Sequence, residues 1–455
     1  MSAGLLEKSK LKPRNSSFLP NKDAMSYFHD RNEFPKFFNN LHQAGDERKI
    51  ISFLEVYFSK YPLFRPLLVQ LYFQLVNNTG QIRLAKEICR IYTEASDLLL
   101  DLGQRELGMP PIFENHFSSM NTRSLTNQTA YTYHMRQLGE LDVKPLFCLD
   151  PAIPSLRQNQ NSFIVSFLPY LNDVFEVITE EKKIADYFRL RTLAPFNSTF
   201  FVRQKNVFGH TNDFFSKIYA ELKDKALNPW AFKLKDVTRD PAQKFLKNFG
   251  LFEKDDFVVI HIRENVSDDS FHNKFRNHNA MDYSEAIHWL LSRGFKVVRI
   301  GHKNMTPLPE RSGFIDLTCV ECPGEVSIYL CAMAKFYFGS LSGPVDLATH
   351  FGTQLLLSDL NLYDYSSPRS LVQLLTFVNQ KTDQLISKRD IELLELESLT
   401  SVQPFFRKGL VPKFGESSKH LRSVKEMVEK IEIGEGDERG LQEEISQKEP
   451  SLVQK

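Results

Sequence analysis

Three features that would each settle the class of a protein are missing from this chain: an excess of one charge, a dense set of cysteines and a long apolar run. Its 57 basic and 56 acidic side chains leave a formal net charge of +1 over 455 residues. No global field therefore draws it to nucleic acid or to an anionic membrane, and any anion site must be local. The five cysteines, Cys89, Cys148, Cys319, Cys322 and Cys331, are odd in number and too sparse for a disulfide framework. Cys319-Val-Glu-Cys322 has CxxC spacing, but no second pair completes a zinc site, so reduced structural thiols are expected. No stretch approaches the roughly 18 uncharged apolar residues of a membrane span. The greasiest segment, Ile50 to Val76, is interrupted by Glu55, Lys60, Pro62, Arg65 and Pro66. The N-terminus has basic residues without the apolar run of a cleaved signal. The expected location is cytoplasmic, at most peripheral at the inner membrane.

The length implies two or three domains. Residues 1–32 are polar and expected to be disordered. Over 33–122 apolar residues recur at three and four, and Tyr57 to Pro62, followed by a helix, Asn-Asn-Thr-Gly80 and a second helix, suggests a TPR-like hairpin. This helical region is available for peripheral membrane or protein contact. From 123 to 238 short apolar runs alternate with helical patterns. Strands are expected at 129–134, 145–149, 163–167 and 175–178, with helices at 180–190 and 212–224, which gives a first Rossmann-like domain.

The clearest pattern fills 239–366. Asp240-Pro241 reads as a helix start and Gly250 as its end. Strand 256–263 follows, then a long polar loop, helix 282–293, strands 295–301 and 313–318, helix 324–334, strand 335–340, helix 343–351 and strand 354–358. Near-continuous apolar strands alternating with helices predict a parallel sheet covered on both faces. The predicted fold class is thus α/β, with a helical extension over 367–432, including helices at 369–380, 388–395 and 417–431, and a disordered tail over 433–455.

Phe257-Val-Val-Ile-His-Ile-Arg263 delivers His261 and Arg263 to the carboxyl end of the first strand of this sheet, where parallel sheets bind ligands. A guanidinium there needs a partner. A phosphate would pair it bidentately, and an ion pair with Glu264, Asp268 or Asp269 would serve as well. Phe336-Tyr-Phe-Gly-Ser-Leu-Ser-Gly-Pro344 places Gly339, Ser340, Ser342 and Gly343 at a second strand end that opens into a helix, a natural anion cradle; the plainer reading is a βα loop with a serine cap. The loop between carries Asp268, His272, Lys274, Arg276, Asn277 and His278, with Tyr283 on the next helix. Asp316 and Glu325 flank a later strand-to-helix connection. Neither GxGxxG nor GxxxxGK[ST] follows the first strand, which argues against a dehydrogenase or a P-loop protein.

His-Ile-Arg263, Arg276-Asn277 with Tyr283, Arg293-Gly-Phe-Lys-Val-Val-Arg-Ile-Gly301 and Phe-Gly-Ser-Leu-Ser-Gly-Pro344 together resemble a family of bacterial glycosyltransferases found with surface-polysaccharide genes. They are distantly similar to the O-fucosyltransferase and α1,6-fucosyltransferase group. The resemblance covers 255–365 most specifically. It implies a GT-B architecture of two facing Rossmann-like domains and a nucleotide-sugar donor in the C-terminal one. Arg263 would neutralise the β-phosphate, Ser340, Ser342 and the Gly343 N–H would bind phosphate oxygens, and Arg276 and Asn277 would line the sugar or acceptor side, with His261, Tyr283 and Gly339 completing the donor site. The base would be His272, Asp268 or Glu325. No cofactor and no metal are implied, and the acceptor would be a glycan, a lipid-linked precursor or a protein. Fucosyltransferases of the HxRxxD type carry aspartate three residues after the arginine, where this chain has Val266. The competing reading is an interaction protein with a degenerate transferase fold.

Overall fold

The computed structural model describes residues 122–140, 144, 146–148, 162–178, 201–204, 207–264, 277–360, 367, 369–394, 396, 405–406 and 408–433. The expectations for 1–121, for a helix at 180–190, for Asp268, His272 and Arg276, and for the tail beyond 433 lie outside these residues.

Upstream of the main sheet come α1 (Thr122–Gln137), β1 (Leu146–Cys148), α2 (Ser162–Val174), β2 (Glu176–Ile178), β3 (Phe201–Gln204), β4 (Val207–His210) and α3 (Thr211–Asp224). β1 and β2 pair in parallel, β3 and β4 antiparallel. Strands β1, β2 and helix α3 fall where the sequence put them. The strands expected at 129–134 and 163–167 do not form, because both segments lie inside helices, α1 and α2. Their β-branched and aromatic residues mislead: the Thr129 and Thr132 hydroxyls donate to the carbonyls of Leu125 and Gln128, four residues back, at 2.6 and 2.8 Å, which suits threonine to a helix. Phe163 and Phe167 likewise stack one helical turn apart, with centroids 5.4 Å apart.

Helix α4 spans Asp236–Lys247 and so starts four residues before the expected Asp240 cap, with Pro241 inside it. Asp236 in its first turn and Lys244 and Lys247 in its last complement the helix dipole. Then follow β5 (Phe257–His261), a 3-10 turn (Ala280–Tyr283), α5 (Ser284–Ser292), β6 (Lys296–Arg299), β7 (Phe314–Asp316), α6 (Gly324–Met333), β8 (Phe336–Gly339), α7 (Gly343–His350), β9 (Gln354–Leu360) and β10 (Ser370–Leu374). The six strands form one sheet in the order β10-β9-β8-β5-β6-β7, with every neighbouring pair parallel. Numbered within the sheet this is 3-2-1-4-5-6 from the β7 edge, the doubly wound order.

Alternate strand residues serve the two faces. Val259, Val298, Tyr337, Leu355 and Leu357 join one core with α1, α2, α3, α4, α6 and α7. Val258, Ile260, Val297, Phe336, Phe338 and Leu356 join the other with α5 and the last helix, α9 (Ser417–Glu432). Burial on both faces explains why the strands read as solid apolar runs.

The helix expected at 369–380 is replaced by two strands, β10 and β11 (Thr376–Asn379). β10 extends the sheet along the open side of β9. β11 pairs antiparallel with β12 (Leu385–Ile386) and β13 (Leu410–Lys413), beside a short helix α8 (Lys388–Leu393). Leu371, Leu374, Leu375 and Val378 recur at three and four as one helix face would, and the unpaired side of β9 decides for strand in the first half of the stretch.

α1 packs along α7 and is tied to its end. The fully buried His350 Nε2–H donates to Asn127 Oδ1 at 2.7 Å, and Tyr219 of α3 reaches His350 Nδ1 at 3.4 Å. Phe215 and Phe232 enclose the imidazole, and burial holds it neutral. No helix among the described residues is long and apolar enough to cross a membrane.

Candidate functional site

In the order 3-2-1-4-5-6 the chain reverses direction across the sheet between β5 and β8, and a crevice opens outside the carboxyl ends of these two strands. The sequence-predicted residues His261, Arg263, Gly339, Ser340, Ser342 and Gly343 meet there. His261 stands opposite Gly339 in the strand register. Gly339 has φ +147°, and a Cβ built on it would lie 2.0 Å from the His261 carbonyl oxygen. Glycine is demanded here by the approach of two backbones.

Both serines face inward. The Ser340 N–H donates to the His261 carbonyl at 3.1 Å, and the Ser340 hydroxyl accepts the Arg263 N–H at 2.8 Å. Ser342 Oγ meets His261 Nδ1 at 2.9 Å and the Tyr337 hydroxyl at 3.3 Å. The two serines are 1% and 3% exposed, so their hydroxyls tie the two strand ends together before any ligand arrives. Burial and then the Arg263 charge push the His261 imidazole down to about 3, so it is neutral at ordinary pH. The half-buried Arg263 and Gly343 form the rim of the crevice. Gly343 opens α7, Pro344 has no N–H to offer, and the Ser342 side chain makes no cap bond, so the Gly343 N–H sits at the positive end of the helix. An arginine at one strand end and a helix N-terminus at the neighbouring strand end are the two kinds of group that suit an anion with several oxygens.

A second cation was visible in the sequence without a role. Arg299 at the end of β6 is fully buried and bridges Glu264 at 2.9 Å and Asp316 at 3.2 Å, while Nη1 donates to the Thr306 carbonyl at 2.6 Å. Asp316 also accepts the Thr318 N–H and hydroxyl at 3.0 and 2.6 Å. Glu264, offered above as an ion-pair partner for Arg263, is thus engaged by Arg299, and Asp316 is engaged in the same network. An arginine closing an apolar strand was the signal, but its acids lie 35 and 17 residues away. Glu325 stands half-buried in the first turn of α6, where its charge favours the helix.

Beside Arg263, the His278 N–H donates to the Arg263 carbonyl at 2.9 Å, which brings Asn277, half-buried, to the same rim. Tyr283 does not reach that rim. It is fully buried, its hydroxyl 2.8 Å from His278 Nδ1 and its ring stacked on His420 at 4.4 Å. Burial pushes His278 and, in α1, His134 down to about 4. With His261 and His350, four imidazoles are then neutral when folded and titrate near 6.5 when unfolded. Unfolding at pH 5.5 is expected to take up about four protons through them, so their contribution to stability falls as pH drops from about 6.5 toward 4, at up to about 5 kcal/mol per pH unit. Proton uptake measured across a denaturant transition at several pH values checks this.

Burial raises the Cys322 thiol to about 11, which disfavours a thiolate and agrees with a structural cysteine.

No known protein family matches the chain, and no curated protein matches it. Among solved structures it is similar to a glycosyl transferase family 9 protein from Veillonella parvula DSM 2008, at 12% identity and a TM-score of 0.35, over 64% of this chain and 93% of that one. It is also similar to the E. coli ADP-heptose lps heptosyltransferase II, at 11% identity and a TM-score of 0.34, over 71% and 98% of the two chains. A third is the E. coli heptosyltransferase WaaC with ADP-2-deoxy-2-fluoro heptose, at 11% identity and a TM-score of 0.28, over 56% and 90%. These are likenesses of fold, and none of the three is a fucosyltransferase.

Proposed function

We propose that the chain is a glycosyltransferase of GT-B architecture that moves a sugar from a nucleotide-diphosphate sugar to a hydroxyl of a glycan, a lipid-linked precursor or a protein, without a metal. The observation that carries this reading is the tie between the ends of β5 and β8 at the switch point of the sheet, where Ser340 holds the Arg263 backbone N–H and Ser342, next to the Gly343 start of α7, holds His261. The diphosphate spans the two. As the bond to the sugar breaks, negative charge grows on the leaving phosphate, and a preorganised guanidinium and helix end stabilise it there as a divalent cation would. Ser340 and Ser342 position these groups. His261, neutral, stays in its hydrogen bond with Ser342 and adds no competing charge. Asn277 lines the rim beside Arg263. The acceptor hydroxyl is deprotonated by Asp268, His272 or Glu325.

Two measurements test the reading. Thermal shift with UDP, GDP, ADP, CMP and dTDP sugars should find one that stabilises the protein by roughly 2.7 kcal/mol at 100 times its dissociation constant. Stabilisation by none of them supports instead a non-catalytic interaction protein. With that donor, Arg263→Ala should lower turnover by at least ~10²-fold, while stability in urea moves by about 0.5 kcal/mol or less. An Arg263→Ala protein that unfolds would make Arg263 part of a structural ion pair.

A further inference from the structure

Two strands across the sheet from β5, about 10 Å away at the usual strand spacing, β9 ends in a second polar centre that the proposed chemistry does not use. Asp359 has φ +48°, a left-handed conformation that costs a non-glycine residue free energy and tends to occur where function requires it. Its side chain is 1% exposed. Both carboxylate oxygens accept the Gly415 N–H, at 3.0 and 2.9 Å, and Oδ1 accepts from Gln373 Nε2 at 3.1 Å. Lys419 Nζ lies at 3.7 Å, His420 Nε2 at 3.8 Å and His278 Nδ1 at 3.9 Å. Tyr283 completes the centre, stacked on His420 and bonded through its hydroxyl to His278.

One carboxylate therefore gathers β9, β10, the start of α9 and the residue pair Asn277-His278. A carboxylate confined in this way is costly to bury and is satisfied only while all its partners are in place. His278 is also the residue whose N–H meets the Arg263 carbonyl. The centre thus reaches the crevice by a contact, a covalent link and a hydrogen bond in turn: the Asp359 carboxylate stands 3.9 Å from His278 Nδ1, and the His278 N–H donates to the Arg263 carbonyl.

We propose that Asp359 is a positioning residue of the donor site, through which the C-terminal helix α9 sets His278, and with it the Asn277 rim, against Arg263. The proposal rests on the donor-site reading for its functional consequence, but not for the tie itself. The test compares Asp359→Asn with Val424→Ala, which removes buried side chain from α9 away from the carboxylate. Two quantities are read: the dissociation constant of whichever of UDP, GDP, ADP and dTDP binds the parent, and the hydrogen-exchange rate of the His278 amide. Asp359→Asn should raise both at least tenfold, and Val424→Ala should leave both near the parent at a comparable loss of melting temperature. Should Asp359→Asn not fold, His278→Gln cuts the tie on the rim side alone and carries the same expectation for nucleotide affinity. A His278 amide exchanging at the parental rate in Asp359→Asn overturns the proposal, as does an equal loss of affinity in Val424→Ala. If no nucleotide binds the parent, the donor-site reading fails, and the exchange comparison still decides whether Asp359 fixes His278.

Discussion

Gly339→Ala is expected to leave little folded protein. The added methyl carbon would sit 2.0 Å from the oxygen, 2.9 Å from the carbon and 3.2 Å from the nitrogen of His261, all of them backbone atoms of the neighbouring central strand. No rotamer can relieve a contact made by Cβ itself, and φ +147° is disfavoured for alanine before any neighbour is considered. The only escape is for β5 and β8 to part. That breaks the His261–Gly339 register, the Ser340 N–H bond to His261 and, with them, the alignment of both serine ties. A loss of about 4 kcal/mol or more is expected, against a total stability on the order of 5–15 kcal/mol. Soluble yield and the urea midpoint measure it. A midpoint equal to the parent's would mean that the two strand ends do not approach in this way, and the geometry assigned to the crevice would fall with them.

Arg299→Leu should be nearly as damaging, for an electrostatic reason. The substitution preserves apolar bulk but leaves two carboxylates facing each other with side chains only 12% and 16% exposed, and it removes the donor to the Thr306 carbonyl. Removing one partner from a buried ion network typically costs about 3–5 kcal/mol, because the remaining charges keep their desolvation penalty. The mechanism predicts non-additivity: combining Arg299→Leu with Glu264→Gln should cost less than the sum of the two single changes, by about 1 kcal/mol or more. Urea unfolding of the four proteins gives this coupling directly. Strict additivity would mean that Arg299 is supported by packing, with the ion pairs incidental.

How far the sequence could be read depended on what each residue answers to. β5 through β9 were legible within a few residues because strands buried on both faces must be apolar throughout, and glycines such as Gly294, at φ +89°, mark where helices end. α1 and α2 were misread as strands because threonine and aromatic residues report local preference, while their helices are imposed by packing against α6 and α7. The stretch at 370–379 failed the other way, since β10 is held by the open edge of β9 and β11 by β12 and β13, partners that no single local window contains. In the site, the presence of His261, Arg263, Ser340 and Ser342 was visible, and so was their meeting at one end of the sheet. The inward turn of the hydroxyls was not, because it follows from the register that sets His261 against Gly339. Tyr283 was drawn toward the ligand by its neighbours in sequence, whereas its burial comes from His420, more than a hundred residues later.

The clasp of His350 on Asn127 has a consequence for the order in which the chain becomes structured. Its two residues are 223 positions apart, so during synthesis α1 leaves the ribosome long before its partner exists. Until then Asn127 and the aromatic residues of α1 and α3 have water or one another for company, and closing so long a loop is entropically favoured only after the intervening sheet has drawn its ends together. The contact of α1 with α7 therefore waits until β5 to β8 and α7 itself have been made, although α1 is the first of these elements to appear.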